Sequence, residues 1–148
     1  MSKIAIYLNF QGNTAEAFNF YKSVFGTEFS APMMLIKDMP ADPNGPKFSE
    51  ADLNCVMHVA LPIIGGTELM GTDMLESMGH KLVVGNNMTI SLQLDDRAEA
   101  DTLYNALSAG ATDLAPMREE FWGYWGCCLD RFGVRWMFNV MNANPVQG

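Results

Sequence analysis

The stretches AEAFNFY at residues 15–21 and AEADTLY at residues 98–104 begin two segments of the same kind, 83 residues apart. Each carries Ala-Glu-Ala followed by a Tyr, and each comes shortly after an apolar run that alternates like a strand. Ala and Glu are common helix formers, so the letters alone carry little weight. The order of elements around them carries more, because repetition at a fixed offset marks duplicated supersecondary units.

Around the first stretch, residues 4–10 read as a strand. Gly12-Asn13-Thr14 reads as turn and cap: Asn13 or Thr14 is placed to accept from the free N–H groups of a helix start, with Glu16 in the first turn. Residues 15–25 then form a helix whose Phe18, Tyr21 and Phe25 recur at spacings of three and four. Gly26 stands where a left-handed C-cap belongs. Residues 27–36 suggest a second strand. Residues 38–54 are rich in Pro, Asp, Asn and Gly and form a loop, long enough to be functional or mobile. Residues 56–63 and 67–72 predict a hairpin around Gly65-Gly66.

The pattern restarts after a connector without clear period. Residues 88–94 alternate strictly as a strand. Residues 97–109 form a helix with Leu103 and Leu107 on one face, ended by Gly110. Residues 112–117 are a short strand and 118–123 a loop. Residues 124–130 and 134–141 form a hairpin around Arg131-Phe132-Gly133, where Gly133 supplies positive φ. The expectation is one α+β domain, 1–148, built from two βαβββ modules: 1–73 and 88–142, with 74–87 as connector.

Composition narrows the function classes. At 148 residues the chain suits one domain that buries roughly 70% of its unfolded surface. A 49% apolar and 18% charged balance is globular. No apolar run approaches the roughly 20 residues of a membrane span, and the opening MSKIAIYLNF reads as a strand rather than a signal peptide. A net charge of −8 argues against nucleic-acid binding, which needs clustered Lys and Arg. The three cysteines are an odd number. Cys127 and Cys128 are strand neighbours pointing to opposite faces, and no CxxC pair exists, so reduced thiols in a cytoplasmic protein are expected.

Several motifs carry a resemblance. They are Tyr7-Leu8-Asn9-Phe10 with Gly12-Asn13, FYKSVFG at 20–26, Met57-His58 and LMGTD at 69–73. The tail is the most specific, with Phe121-Trp122-Gly123 and DRFGVRWMFN at 130–139. On these the chain resembles the vicinal oxygen chelate superfamily, which includes glyoxalase I, extradiol dioxygenases and fosfomycin and bleomycin resistance proteins. The closest likeness is to its PhnB-like branch. The resemblance implies that the paired modules form a curved mixed sheet around a cavity. Similar proteins have carried a 3-demethylubiquinone 3-methyltransferase label. No glycine-rich strand-to-helix turn suited to S-adenosylmethionine is present, so that label is set aside here.

Alternation assigns faces. Ile90, Leu92 and Leu94 share one face of their strand, and Trp136, Phe138 and Val140 share one face of the last strand. These pack under the second helix. Thr89, Ser91 and Gln93, with Arg135, Met137 and Asn139, then occupy the opposite face. Periodicity alone fits a solvated surface or a wet cavity equally, and the resemblance favours the cavity. Metal-dependent relatives hold their ligands, typically His and Glu, on the first, fourth, fifth and eighth strands. Laid on that pattern by its helix start and its Asp-x-x-Gly turn, this chain offers Ile6, Met70, Thr89 and Met137. None is a competent ligand for a divalent cation. Glu68 shares a face with Met70, but one carboxylate is not a metal site.

The candidate cavity lining is therefore Ile6, Leu8, His58, Glu68, Met70, Thr89, Ser91, Gln93, Trp122, Trp125, Arg135, Met137 and Asn139, with neither metal nor cofactor. His58 in mid-strand is read as a packed structural residue sooner than a base. Asp73 is read as a turn cap, and His80, Glu119 and Glu120 as solvated. Trp122, Tyr124 and Trp125 are read as an aromatic cluster for packing or ligand stacking. The leading expectation is a metal-free small-molecule binder, forming a homodimer that covers its strand edges. The alternative is a divergent enzyme of lyase, dioxygenase or thiol transferase type.

Overall fold

Burial follows the two sequence periods. Phe10, Phe18, Tyr21, Leu61 and Leu69 are enclosed in the first half of the chain, and Leu107, Trp136 and Phe138 in the second. The computed structural model describes residues 1–142. It divides into two units, Met1–Val83 and Val84–Gly148. Each holds one four-stranded mixed sheet and one helix, so the fold is α+β.

The first unit contains β1 (Ile6–Phe10), α1 (Thr14–Phe25), β2 (Met34–Leu35), β3 (Val56–Pro62) and β4 (Glu68–Asp73), in the order β1-β4-β3-β2. β1 and β4 are parallel and the other neighbours antiparallel. α1 packs on β3 and β4. Phe18 meets Phe10 and Tyr21 edge to face, at centroid distances of 6.3 and 5.7 Å. A Cβ at Gly71 would lie 2.5 Å from Phe18 Cε2, so glycine is what lets the ring reach the sheet. Gly26 closes α1 at φ 65° as its position predicts, donating to the Lys22 carbonyl. The expected second strand shrinks to Met34–Leu35. Its earlier part makes isolated bonds instead, from the Ser30 N–H to the Ala60 carbonyl and from Thr27 Oγ1 to the Pro62 carbonyl. Pro32 has no N–H to continue a ladder.

The second unit contains β5 (Ile90–Gln93), α2 (Arg97–Leu107), β6 (Thr112–Glu120), β7 (Gly123–Leu129) and β8 (Arg135–Met141), in the order β5-β8-β7-β6. The strand order and the parallel closing pair repeat those of the first unit. Tyr104 of α2 meets Phe138 edge to face at 5.3 Å. β6 runs three residues further than its sequence suggests. Arg118 and Glu120 pair with Trp125 and Gly123, which leaves only Phe121-Trp122 as the turn. Charged residues are poor strand signals, yet an edge strand tolerates them. Asp130 ties the final turn: its carboxylate accepts from Phe132 N–H, Val134 N–H and Trp136 Nε1 at 2.8, 3.0 and 2.9 Å. No helix among the described residues is long and apolar enough to cross a membrane.

Candidate functional site

Each sheet has one face under its helix and one face free of it. Strand pairing sorts the candidate residues between the two. In the first unit Leu69 and Gly71 lie under α1, and Ile6 and Leu8 pair with them. Ile6 and Leu8 therefore belong to the helix side, against the sequence expectation. The helix-free face of β1 carries Tyr7 and Asn9, which pair with Met70 and Thr72. The error comes from counting back from the helix start. Three residues separate Phe10 from α1, but two separate its counterpart Leu94 from α2. With a side-chain period of two, a one-residue slip exchanges the faces.

On that face Tyr7 Oη and His58 Nδ1 share a hydrogen bond of 3.0 Å, with ring centroids 5.8 Å apart. Partial burial raises the Tyr7 phenol above its ordinary value. Glu68, on the same face as Met70 and Thr72, is held from two sides. Lys3 Nζ donates to one carboxylate oxygen and Ser30 Oγ to the other, both at 2.7 Å. These hydrogen bonds hold its carboxyl below the usual range. Asp73 is structural: it accepts from Gly12 N–H, Thr14 N–H, Thr14 Oγ1 and Val56 N–H. His80 is exposed in the connector and accepts from Leu75 N–H.

In the second unit Ile90, Leu92, Trp136 and Phe138 lie under α2, so Ser91, Gln93, Arg135, Met137 and Asn139 share the helix-free face. Thr89, just before β5, is exposed. Four side chains form a continuous hydrogen-bonded chain. Gln93 Nε2 donates to Ser91 Oγ at 2.7 Å, Asn139 Nδ2 to Gln93 Oε1 at 3.0 Å, and Trp122 Nε1 to Asn139 Oδ1 at 2.9 Å. Trp122 meets Trp125 edge to face at 6.4 Å. Arg118 lies over the Trp125 ring at 5.4 Å, its Nε held 2.6 Å from Glu120.

Alternation along β7 divides the expected aromatic cluster. Tyr124 belongs to the helix side, donating to Asp101 under the Arg97 guanidinium, which also pairs with Glu119. Glu119 and Glu120 are thus ion-paired rather than simply solvated. Cys127 pairs with Met137 on the helix-free face, and Cys128 with Trp136 on the buried one. Burial pushes the Cys128 thiol up to about 12. All three cysteines are free thiols. The sequence reading missed Tyr7, Arg118 and Cys127. Counting β1 from buried Phe10 would have found Tyr7, and extending β6 to Glu120 would have found Arg118.

The fold family implies a divalent metal, and the donors present do not fit one. Met70, Thr89 and Met137 supply neither imidazole nor carboxylate, and Glu68 is engaged by Lys3 and Ser30, which leaves the His58 imidazole as a single donor. Among the described residues no three His, Cys, Asp or Glu are grouped to hold an ion. S-adenosylmethionine fares no better at the first strand-to-helix turn, because Gly12 and Thr14 N–H already point at Asp73.

A family model described as 3-demethylubiquinone-9 3-methyltransferase matches residues 2–139. Among solved structures, protein PA1353 from Pseudomonas aeruginosa is 32% identical, with 95% of this chain and 98% of that one covered and a TM-score of 0.79. A putative 3-demethylubiquinone-9 3-methyltransferase, PhnB protein, from Bacillus cereus is 26% identical, covering 94% and 99%, with a TM-score of 0.72. A glyoxylase/bleomycin resistance protein/dioxygenase domain from Frankia sp. shares the fold at 12% identity, covering 96% and 99%, with a TM-score of 0.64.

Proposed function

The chain belongs to the family described as 3-demethylubiquinone-9 3-methyltransferase, in a PhnB-like branch with the glyoxalase/bleomycin-resistance fold, and from that premise we propose that it binds a small molecule without a metal. The binding surface is the helix-free face of the second unit. The observation that carries this reading is the chain Ser91–Gln93–Asn139–Trp122 beside Trp125. Neutral side chains that fix one another's rotamers form a preorganised polar strip, and the indoles supply a wall for a planar ligand. Methyl transfer is not part of this reading, since the helix-start donors of the first unit are spent on Asp73.

The test is a thermal-shift screen of small planar compounds on protein purified without chelator, with metal analysis of the same sample. Stabilising compounds are expected to lose their effect in Asn139→Ala and Trp125→Ala. No hit from a broad panel would sink the binding reading. One equivalent of zinc, nickel, manganese or iron would sink its metal-free part.

The Tyr7–His58 pair favours a second reading, a divergent enzyme in which His58 moves a proton. Turnover that is lost in His58→Ala with the fold intact would support it. A cytoplasmic homodimer completes the proposal. Free thiols suit a reducing compartment, and edge strands β2 and β6 benefit from cover. Light scattering that gives the mass of one chain would remove the dimer.

A further inference from the structure

Arg135 is the one strongly basic side chain of β8, on the same face as Met137 and Asn139. A guanidinium carries five N–H donors in a rigid fork. Here Nη2 reaches Asp113 Oδ2 at 3.3 Å, longer than a well-formed charge-assisted bond. Its Nε is shut off from solvent and has no acceptor among the described residues. A buried donor without a partner is unusual in a folded protein and asks for an explanation.

Asp113 adds a second, independent oddity. Its φ of 47° is the one positive value on a non-glycine residue among the described residues. It sits where the β6–β7 register shifts, between Thr112 and Ala115. Its carboxylate is 65% exposed while the Arg135 side chain is 26% exposed. A left-handed aspartate held at a bulge, reaching a half-buried arginine with an imperfect bond, has the geometry of a stand-in for an external oxyanion.

We propose that Arg135 is an oxyanion subsite and Asp113 its built-in competitor, displaced when a ligand's carboxylate, phosphate or sulfonate takes the guanidinium. This deepens the binding reading above and rests on it. Four residue steps along the strand, about 13 Å, separate Arg135 from Asn139. The ligand class is therefore an elongated organic anion. Its charged end lies at Arg135, and its planar body runs past Met137 and Cys127 toward Trp125.

The experiment follows the Arg135 Nε–H resonance by ¹⁵N NMR in the full chain, titrated with benzoate, its neutral isostere benzamide, and inorganic phosphate. Benzoate is expected to shift this resonance, and benzamide is not. Phosphate shifting it more strongly than benzoate would identify a phosphate-type ligand, and the reverse a carboxylate. Asp113→Asn is expected to tighten benzoate several-fold, and Arg135→Gln to weaken it at least tenfold. The wild-type resonance needs no variant, so a misfolded Arg135→Gln does not void the test. An Nε–H unmoved by either anion, in wild type and in Asp113→Asn, overturns the proposal. Equal benzoate affinity in wild type and Arg135→Gln overturns it too. Benzamide binding that depends on Asn139 but not on Arg135 would then leave the broader binding reading standing.

Discussion

The two units repeat one strand order but begin their helices differently. In the second unit the cap is local: Asp96 Oδ1 accepts from Glu99 N–H at 2.8 Å. In the first, Asn13 makes no side-chain cap bond. The donors there go instead to Asp73, which lies on β4, 59 residues beyond Thr14. The N–H groups of the first turn meet a buried carboxylate on the sheet, which also fixes the start of β3 through Val56. The same fold therefore tolerates a cap drawn from neighbouring residues or from a distant strand.

Core size is exchanged in the same way. Gly71 and Phe138 occupy equivalent places, paired with Leu8 and Leu92. In the first unit the helix supplies the bulk, with Phe18 over the glycine; in the second the sheet supplies it, with Phe138 against Tyr104. The helix-free faces differ as well. The first carries the Lys3–Glu68 ion pair and the Tyr7–His58 pair, the second a neutral relay with aromatic rings, flanked by the ion pairs Arg118–Glu120 and Arg135–Asp113.

The contrast in capping is the easiest to break. Asp73→Ala strands four donors and is expected to cost about 3–5 kcal/mol, lowering Tm by about 10 °C. Asp96→Ala, the local cap, is expected to cost about 1 kcal/mol. Equal losses in chemical denaturation would end the distinction. Next comes Gly71→Ala, which drives a methyl into Phe18 and is expected to cost about 1–3 kcal/mol. A neutral result would mean that α1 shifts freely, and the size exchange would fail.

A chemical test sharpens the face assignment within β7. With its thiol pushed up to about 12, Cys128 is expected to alkylate more than about tenfold slower than Cys127 at pH 8.5, read by peptide mass mapping. Similar rates would contradict opposite faces. The smallest effect concerns Glu68. Its carboxyl lies below the ordinary value of 4.5, so the stability it adds is present in full above that pH and is lost below it, as pH falls through the lowered folded-state value. The Tm difference between wild type and Glu68→Gln is expected to shrink below pH 4.5. A difference unchanged by acid would show that Lys3 and Ser30 do not favour the ionised form.

Much of the fold was legible because it rests on local periods. Strict alternation in β5 and β8 put Leu92, Trp136 and Phe138 on the buried side, and Gly26 and Gly133 marked turns that need positive φ. The site was less legible. The sequence leaves the faces of Ile6 and Leu8 open, because a strand's alternation gives two faces without saying which is which. Only the pairing of β1 with β4 decides that. Proximity in sequence groups Tyr124 with Trp122 and Trp125, though alternation sends it to the opposite side.

By itself, then, the sequence determined two βαβββ units, their glycine turns and the apolar faces of β5 and β8. Each depends on neighbours a few residues away. The tertiary structure decided the rest: Asp73 as a remote cap, Glu68 between Lys3 and Ser30, the relay from Ser91 to Trp122, and the half-satisfied Arg135 beside Asp113. Apart from the Gln93–Ser91 bond, these join residues 17 to 65 positions apart, and no local period encodes which distant donor meets which acceptor.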